Sequence, residues 1–172
     1  MNPHTIYDYL IRSRQRILDL IRSLDAVQYA REFQIGCGTI GATMTHIAIS
    51  EWYYVERMQQ REVPPYAQWS IQSEHPPPFT EIESFWIRQA DATRGALQAV
   101  RDWNAAITYR VTLDDGSPIV VTTSAAGLFT QLAFHEVHHR AQVMNMLRHL
   151  GLDAGDIDFN AMMYERRPAE GA

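Results

Sequence analysis

Three histidines and a glutamate stand together in the stretch Phe134-His135-Glu136-Val137-His138-His139-Arg140. On a helix, residues four apart share a face about one turn apart, near enough for two imidazoles to chelate one ion. His135 and His139 have that spacing, and His135 and His138 are the competing i,i+3 pair. The apolar pattern of the segment separates the two. Leu128, Leu132, His135, His139, Val143, Met146 and Leu150 form an inward stripe, whereas His138 falls with Gln131, Asn145 and Arg148 on a wetter face. A lone histidine on an apolar face is more often a satisfied core residue than a ligand. Two side by side need partners, and a metal ion supplies one to both. His46 lies on a second inward stripe with Ala42, Ile49 and Tyr53. Facing helices of a bundle can supply one and two ligands to a common site. Three histidines with an open fourth position are the arrangement of a catalytic zinc site, though imidazoles also suit nickel, iron or copper.

His135-Glu136-Val137-His138-His139 also fits H-E-x-x-H, which would make Glu136 the general base of a zinc hydrolase. Against this, Gln142 and Asn145 stand where the extended signature wants Gly and His, and no sizeable sheet precedes the motif to seat a peptide. Glu165 would have to serve as the downstream ligand. A di-iron bundle needs a second Glu-x-x-His, and Glu136 to His139 is the sole copy. Glu136 lies about 100° around the helix from His135, so a solvated residue is the preferred reading over a catalytic base. Arg140 could grip a substrate carboxylate, but a salt bridge between helices is preferred. Tyr53 is a cavity donor or plain core. Cys37, between two glycines, reads as a bystander rather than a reactive thiol. The four tryptophans, Trp52, Trp69, Trp86 and Trp103, suit packing or a dimer face.

The elements that must position these groups follow from periodicity. Tyr7, Leu10, Ile17, Ile21 and Leu24 predict a helix over 5–24. The pattern fails over 25–38, which ends in the breaker Gly36-Cys37-Gly38. A second helix is expected from Thr39 to about Arg61, with Ile40, Met44, Ile47, Tyr54 and Met58 beside the His46 stripe. Residues 62–79 hold Pro64, Pro65, Pro76, Pro77 and Pro78 and form a long loop with the character of a lid or packed flap. Thr80 to Glu83 reads as a capping box opening a helix to about Asp102. Alternating Ile107, Tyr109, Val111 and Leu113, an Asp114-Asp115-Gly116 turn and apolar Ile119 to Val121 predict an inserted hairpin. The longest helix spans 124–150 and stops at Gly151, and a short helix is expected around 158–166. The expected fold is all-α: one domain over 1–172, a four-helix bundle with a small β-hairpin insert and a short C-terminal helix.

Composition narrows the partners. Fifteen Lys+Arg against twenty Asp+Glu give a net charge of −5 across 172 residues. Every basic residue is an arginine and they are scattered, so no nucleic-acid surface is expected. No apolar run approaches a bilayer span and no export signal is visible, so neither membrane nor secretion is expected. The single cysteine excludes a disulfide framework and a multi-cysteine zinc site and suits a reducing, cytoplasmic setting.

The run His135-Glu136-Val137-His138-His139-Arg140-Ala141-Gln142-Val143, followed by Leu147-Arg148-His149-Leu150-Gly151, resembles the DinB-like (YfiT-like) metalloenzyme superfamily, whose signature here is H-x-x-x-H-R-G-Q-(I/V) and then L-R-x-L-G. Thr45-His46-Ile47-Ala48 through Glu51-Trp52-Tyr53-Tyr54 resembles that family's histidine-bearing helix. The resemblance covers nearly the whole chain in element order. It implies that His46, His135 and His139 are the ligands of a divalent ion, zinc or nickel, with Arg140 and Gln142 beside them. It further implies a small-molecule substrate such as a low-molecular-weight thiol, S-transfer or hydrolase-like chemistry, and a homodimer. Ala141 departs from the family's glycine, which puts helix packing and site shape in question more than ligation. The rival from a different class is a non-catalytic helical bundle that binds a ligand or a partner chain.

Overall fold

Why four long helices form is visible in their stripes. The computed structural model describes residues 2–113 and 115–167. Helix α1 (Pro3–Ile21) opens on Asn2, whose side chain accepts from the backbone N–H groups of His4 and Thr5. The cap and the proline at the first helical position start the helix before Thr5. The segment expected to be irregular contains a one-turn helix, α2 (Ala26–Tyr29), held by a reciprocal Asp25–Gln28 capping box. Four residues are too few for periodicity to reveal.

Helix α3 (Ile40–Met58) is capped by Thr39, which accepts from Ala42 N–H at 2.9 Å. Its first ten residues are buried on nearly every side, since α4 and α5 both pack against it. The 62–79 loop carries a 3₁₀ turn (Tyr66–Gln68) and a Gln72–His75 bridge. Helix α4 (Phe79–Ala99) begins one residue before the expected cap. Thr80 therefore sits inside the first turn, and the capping box is not formed. Pro78 takes the cap position in an extended conformation and its carbonyl accepts from Glu81 and Ile82 N–H. A proline's fixed φ sets that geometry without a side-chain oxygen.

Strands β1 (Ala106–Thr112) and β2 (Pro118–Ser124) form an antiparallel hairpin, Ala106 opposite Ser124 and Thr112 opposite Pro118. Asp114 of the expected turn lies outside the described residues, and Gly116 takes φ +84°. Helix α5 (Ala125–His149) is capped by Ser124. Gly151 follows with φ +79°, and Gly151 and Leu152 N–H return to Arg148 and Leu147 carbonyls to close the end. A short α6 (Phe159–Met163) packs on α1. Among the described residues the chain is thus mostly helical with one two-stranded hairpin. Helix α1 packs on α4 and α5, and α3 on the same two.

Two apolar clusters fill the interior. One joins Ile17, Ile21, Met44, Ile82, Val143 and Leu147; the other joins Tyr7, Leu10, Val55, Leu97, Leu128 and Leu132. Between them lies a polar layer. Arg14 reaches Glu51 Oε2 at 2.6 Å and Glu136 Oε2 at 2.5 Å through Nη2, donates to Glu136 Oε1 at 3.1 Å through Nε, and stacks 3.6 Å from the Trp86 ring centre. Glu51 Oε1 also accepts from Tyr7 at 2.5 Å and Thr93 at 2.6 Å. No helix among the described residues is long and apolar enough to cross a membrane.

Candidate metal centre

Helices α3 and α5 bring His46, His135 and His139 into one cluster. His46 and His135 point their Nε2 atoms at each other, 3.0 Å apart. Ring centres lie 4.8 Å apart for His46–His135, 4.6 Å for His46–His139 and 4.4 Å for His135–His139. Around a tetrahedral zinc ion with ordinary bond lengths, two nitrogen donors stand about 3.3 Å apart. The Nε2 pair is already near that separation, so the donor set fits a divalent ion.

Burial favours the neutral imidazoles, the state in which a nitrogen offers a lone pair. Burial, with His139 and His46 adding to it, pushes His135 down to about 3. Burial and His139 lower His46, and burial lowers His139 against the pull of its hydrogen bond to Gln142. That bond joins His139 Nδ1 to Gln142 Oε1 at 2.8 Å. An amide oxygen can only accept, so Nδ1 carries the proton and Nε2 is left free as a donor atom.

The face assignment on α5 needs correction. His135 and His139 are half-buried, at the edge of the core, while the fully buried stripe runs Leu132, Glu136, Arg140, Val143, Leu147. Glu136 is therefore not the solvated residue expected; it is 2 % exposed. Burial pushes its carboxyl up, against the lowering pull of Arg14. Both of its oxygens are taken by Arg14, so it is not free to act as the base of an H-E-x-x-H hydrolase. Glu165 is paired with Arg167 on the surface. Arg140 is buried too: Nη2 donates to Tyr9 at 2.6 Å, Nη1 donates to Ser13, and Glu136 stands 3.9 Å away. It ties α5 to α1 rather than reaching for a substrate.

A cavity of about 480 Å³ opens beside the cluster, lined among others by His46, Tyr53, Tyr54, Trp69, Glu74 and Cys37. Tyr53 thus faces a space rather than packed core, and Trp69 from the proline-rich loop closes one wall against Trp52 and Tyr66. His138 is exposed and meets Gln142 Nε2 at 3.1 Å. His4, His75 and His149 are exposed as well.

Cys37, read from the sequence as a bystander, lies beside the cluster. Its Sγ and one nitrogen each of His46 and His139 all lie within 4.8 Å of one another. Sequence reasoning missed this because the loop before α3 has no periodicity from which to place a side chain. The signal was the pair of glycines flanking Cys37. Gly36 takes φ +53°, and a Cβ there would lie 2.4 Å from Gln142 Oε1. The loop can press on α5 only as glycine.

A model of the DinB family matches residues 1–170. The chain belongs to the DinB family. No curated protein matches it. The match runs through both histidine-bearing helices of this DinB-family chain, from before His46 to beyond His139. Glu51, which the resemblance placed in an acidic-aromatic run, serves here as an internal anion for Arg14.

Proposed function

We propose that the chain is a metal-dependent enzyme in which His46, His135 and His139 hold one divalent ion, zinc or nickel, at the mouth of the 480 Å³ cavity. The observation that carries this reading is the approach of His46 Nε2 to His135 Nε2, 3.0 Å apart on two different helices. Family membership supports it, as do the four long helices, which are read as a DinB-type four-helix bundle. When bound, such an ion supplies Lewis acidity, lowering the pKa of a thiol or of water so that a nucleophile forms at neutral pH.

The chain's own residues do the rest. Gln142 accepts the Nδ1 proton of His139 and holds the ring with Nε2 free. Tyr53, Tyr54 and Trp69 wall the cavity with rings and exclude water from one side. Arg140 and Glu136 hold α5 on α1 and so fix the height of His135 and His139. The substrate of this reading is a small molecule, a low-molecular-weight thiol, taken up for S-transfer or hydrolase-like chemistry; one free cysteine suits a reducing, cytoplasmic setting. A homodimer belongs to the same proposal. Phe134, 69 % exposed, and Val137 lie one turn apart on the outer face of α5, an apolar patch that a second copy would cover.

Elemental analysis of the purified protein, followed by titration with Zn²⁺ and Ni²⁺, tests the reading. One equivalent of tightly held ion is expected. An apo protein that takes up neither ion overturns it and leaves the non-catalytic bundle.

A further inference from the structure

The loop between α2 and α3 is built to bring one side chain to the histidines. Phe33 N–H donates to Gly38 O at 2.7 Å and Gly38 N–H to Ile35 O at 3.0 Å, so the loop folds tightly on itself. Gly36 and Gly38 take φ +53° and +89°, conformations that suit glycine and turn the chain sharply on both sides of Cys37. Gly36 lies against the Gln142 side chain, the same amide whose oxygen holds His139. One contact thus sets the position of the loop and of a histidine together.

Cys37 emerges from this turn with its sulfur, a His46 nitrogen and a His139 nitrogen mutually within 4.8 Å. A tetrahedral zinc ion holds sulfur and nitrogen donors about 3.6 Å apart. Among these three groups the gap is therefore about an ångström at its widest, and His135 joins them through His46, whose Nε2 stands 3.0 Å from its own. Thiolate is also the softer donor, and zinc takes mixed sulfur and nitrogen sets readily.

We infer that Cys37 is a fourth donor of this centre, so that the ion is held by one thiolate and three imidazoles. The inference rests on the metal reading above and changes it. The resting site is closed by the chain itself, and the thiol proton passes to solvent when the sulfur binds. A substrate thiol must then compete with Cys37 for its place, which selects for ligands of the same chemistry.

Cobalt(II) substitution tests this without any substrate. Cys37 is the chain's one cysteine, so a thiolate-to-cobalt charge-transfer band in the near ultraviolet has a single source. The expected result is a strong band in the unaltered protein and its loss in Cys37→Ser, with one equivalent of cobalt still bound. Cobalt bound without the band, or an unchanged band in Cys37→Ser, overturns the role of Cys37 and leaves the three-histidine site standing. Failure to bind cobalt, Zn²⁺ or Ni²⁺ overturns the metal reading itself, and this inference with it. Alkylation by iodoacetamide supplies a second measurement: Zn²⁺ slows modification of Cys37 about tenfold, because the ion engages the sulfur lone pair and the His46 and His139 rings cover the reagent's approach. That protection disappears in His46→Ala and persists in His138→Ala; equal rates with and without Zn²⁺ overturn the inference.

Discussion

Arg14 and Glu136 stand 2.5 Å apart across the interior, guanidinium to carboxylate, although 122 residues separate them in the chain. Glu51 completes the group from a third helix at 2.6 Å. Burial opposes the charge on Arg14, but Glu136 and Glu51 more than compensate, and its pKa rises above the ordinary arginine value. The Tyr7 phenol, buried beside the Glu51 anion, is likewise pushed up and stays protonated as a donor.

Removing the cation leaves two buried carboxylates facing each other. Arg14→Met is expected to lower stability by about 3–5 kcal/mol. Adding Glu51→Gln and Glu136→Gln to the same chain recovers part of that loss, since no uncompensated charge remains. Urea denaturation of the three proteins measures it, and a loss below about 1 kcal/mol in Arg14→Met would show that the group is not coupled.

Glu136→Gln alone separates anchor from base. Glu136 holds Arg14 with both oxygens, so its replacement lowers the denaturation midpoint while one equivalent of metal is retained. A hydrolase whose peptidase activity vanished in Glu136→Gln, with stability unchanged, would reverse this assignment.

Gly36→Ala and Gly151→Ala form a controlled pair. Both glycines have positive φ, so each alanine costs about 1–2 kcal/mol of backbone strain. At Gly151 the new Cβ meets nothing, but at Gly36 it collides with Gln142 Oε1. Isothermal titration with Zn²⁺ is therefore expected to show weakened binding in Gly36→Ala alone. Equal affinities in the two variants would mean that Gln142 does not position His139.

Metal binding to the folded state alone raises its stability by mass action, by about 2.7 kcal/mol at a hundred times Kd. For a chain of this size that shifts Tm by roughly 5–10 °C. The Zn²⁺-induced shift is expected in the unaltered protein and in His138→Ala, to be reversed by a chelator, and to be lost in His46→Ala. Scanning calorimetry with and without Zn²⁺ reads the shift itself, so any change in baseline stability does not confuse it.

How far the fold was legible depends on the length of each element. Period 3.6 over Ile40–Met58 and Ala125–His149 located both helices, but on α5 it put His135 and His139 in the inward stripe, where Glu136 and Arg140 in fact lie. What periodicity does not carry is which polar residue finds a distant partner. Glu136 reads as solvated because its partner, Arg14, lies on α1; Arg140 reads as a tie between helices, and its partners Ser13 and Tyr9 are on α1 too. Arg14 is not among the residues singled out from the sequence, although it falls in register between Leu10 and Ile17 on the buried stripe, where an unpaired cation would be costly. Thr80 failed as a cap because the backbone of Pro78 had already satisfied the first turn. Cys37 left no trace in the hydrophobic pattern, since a turn built by two glycines positions its side chain through backbone angles; the glycines themselves were its one signal.

The half-buried placement of the histidines beside a core that does not include them separates two histories. Replacing an imidazole takes no side chain out of either apolar cluster, so the fold itself loses little when one goes. Arg14, Glu51 and Glu136 are locked to one another, and a lineage can change them only in concert. Changes at the histidine rim are therefore borne one at a time by the fold, and changes in the Arg14 group only together.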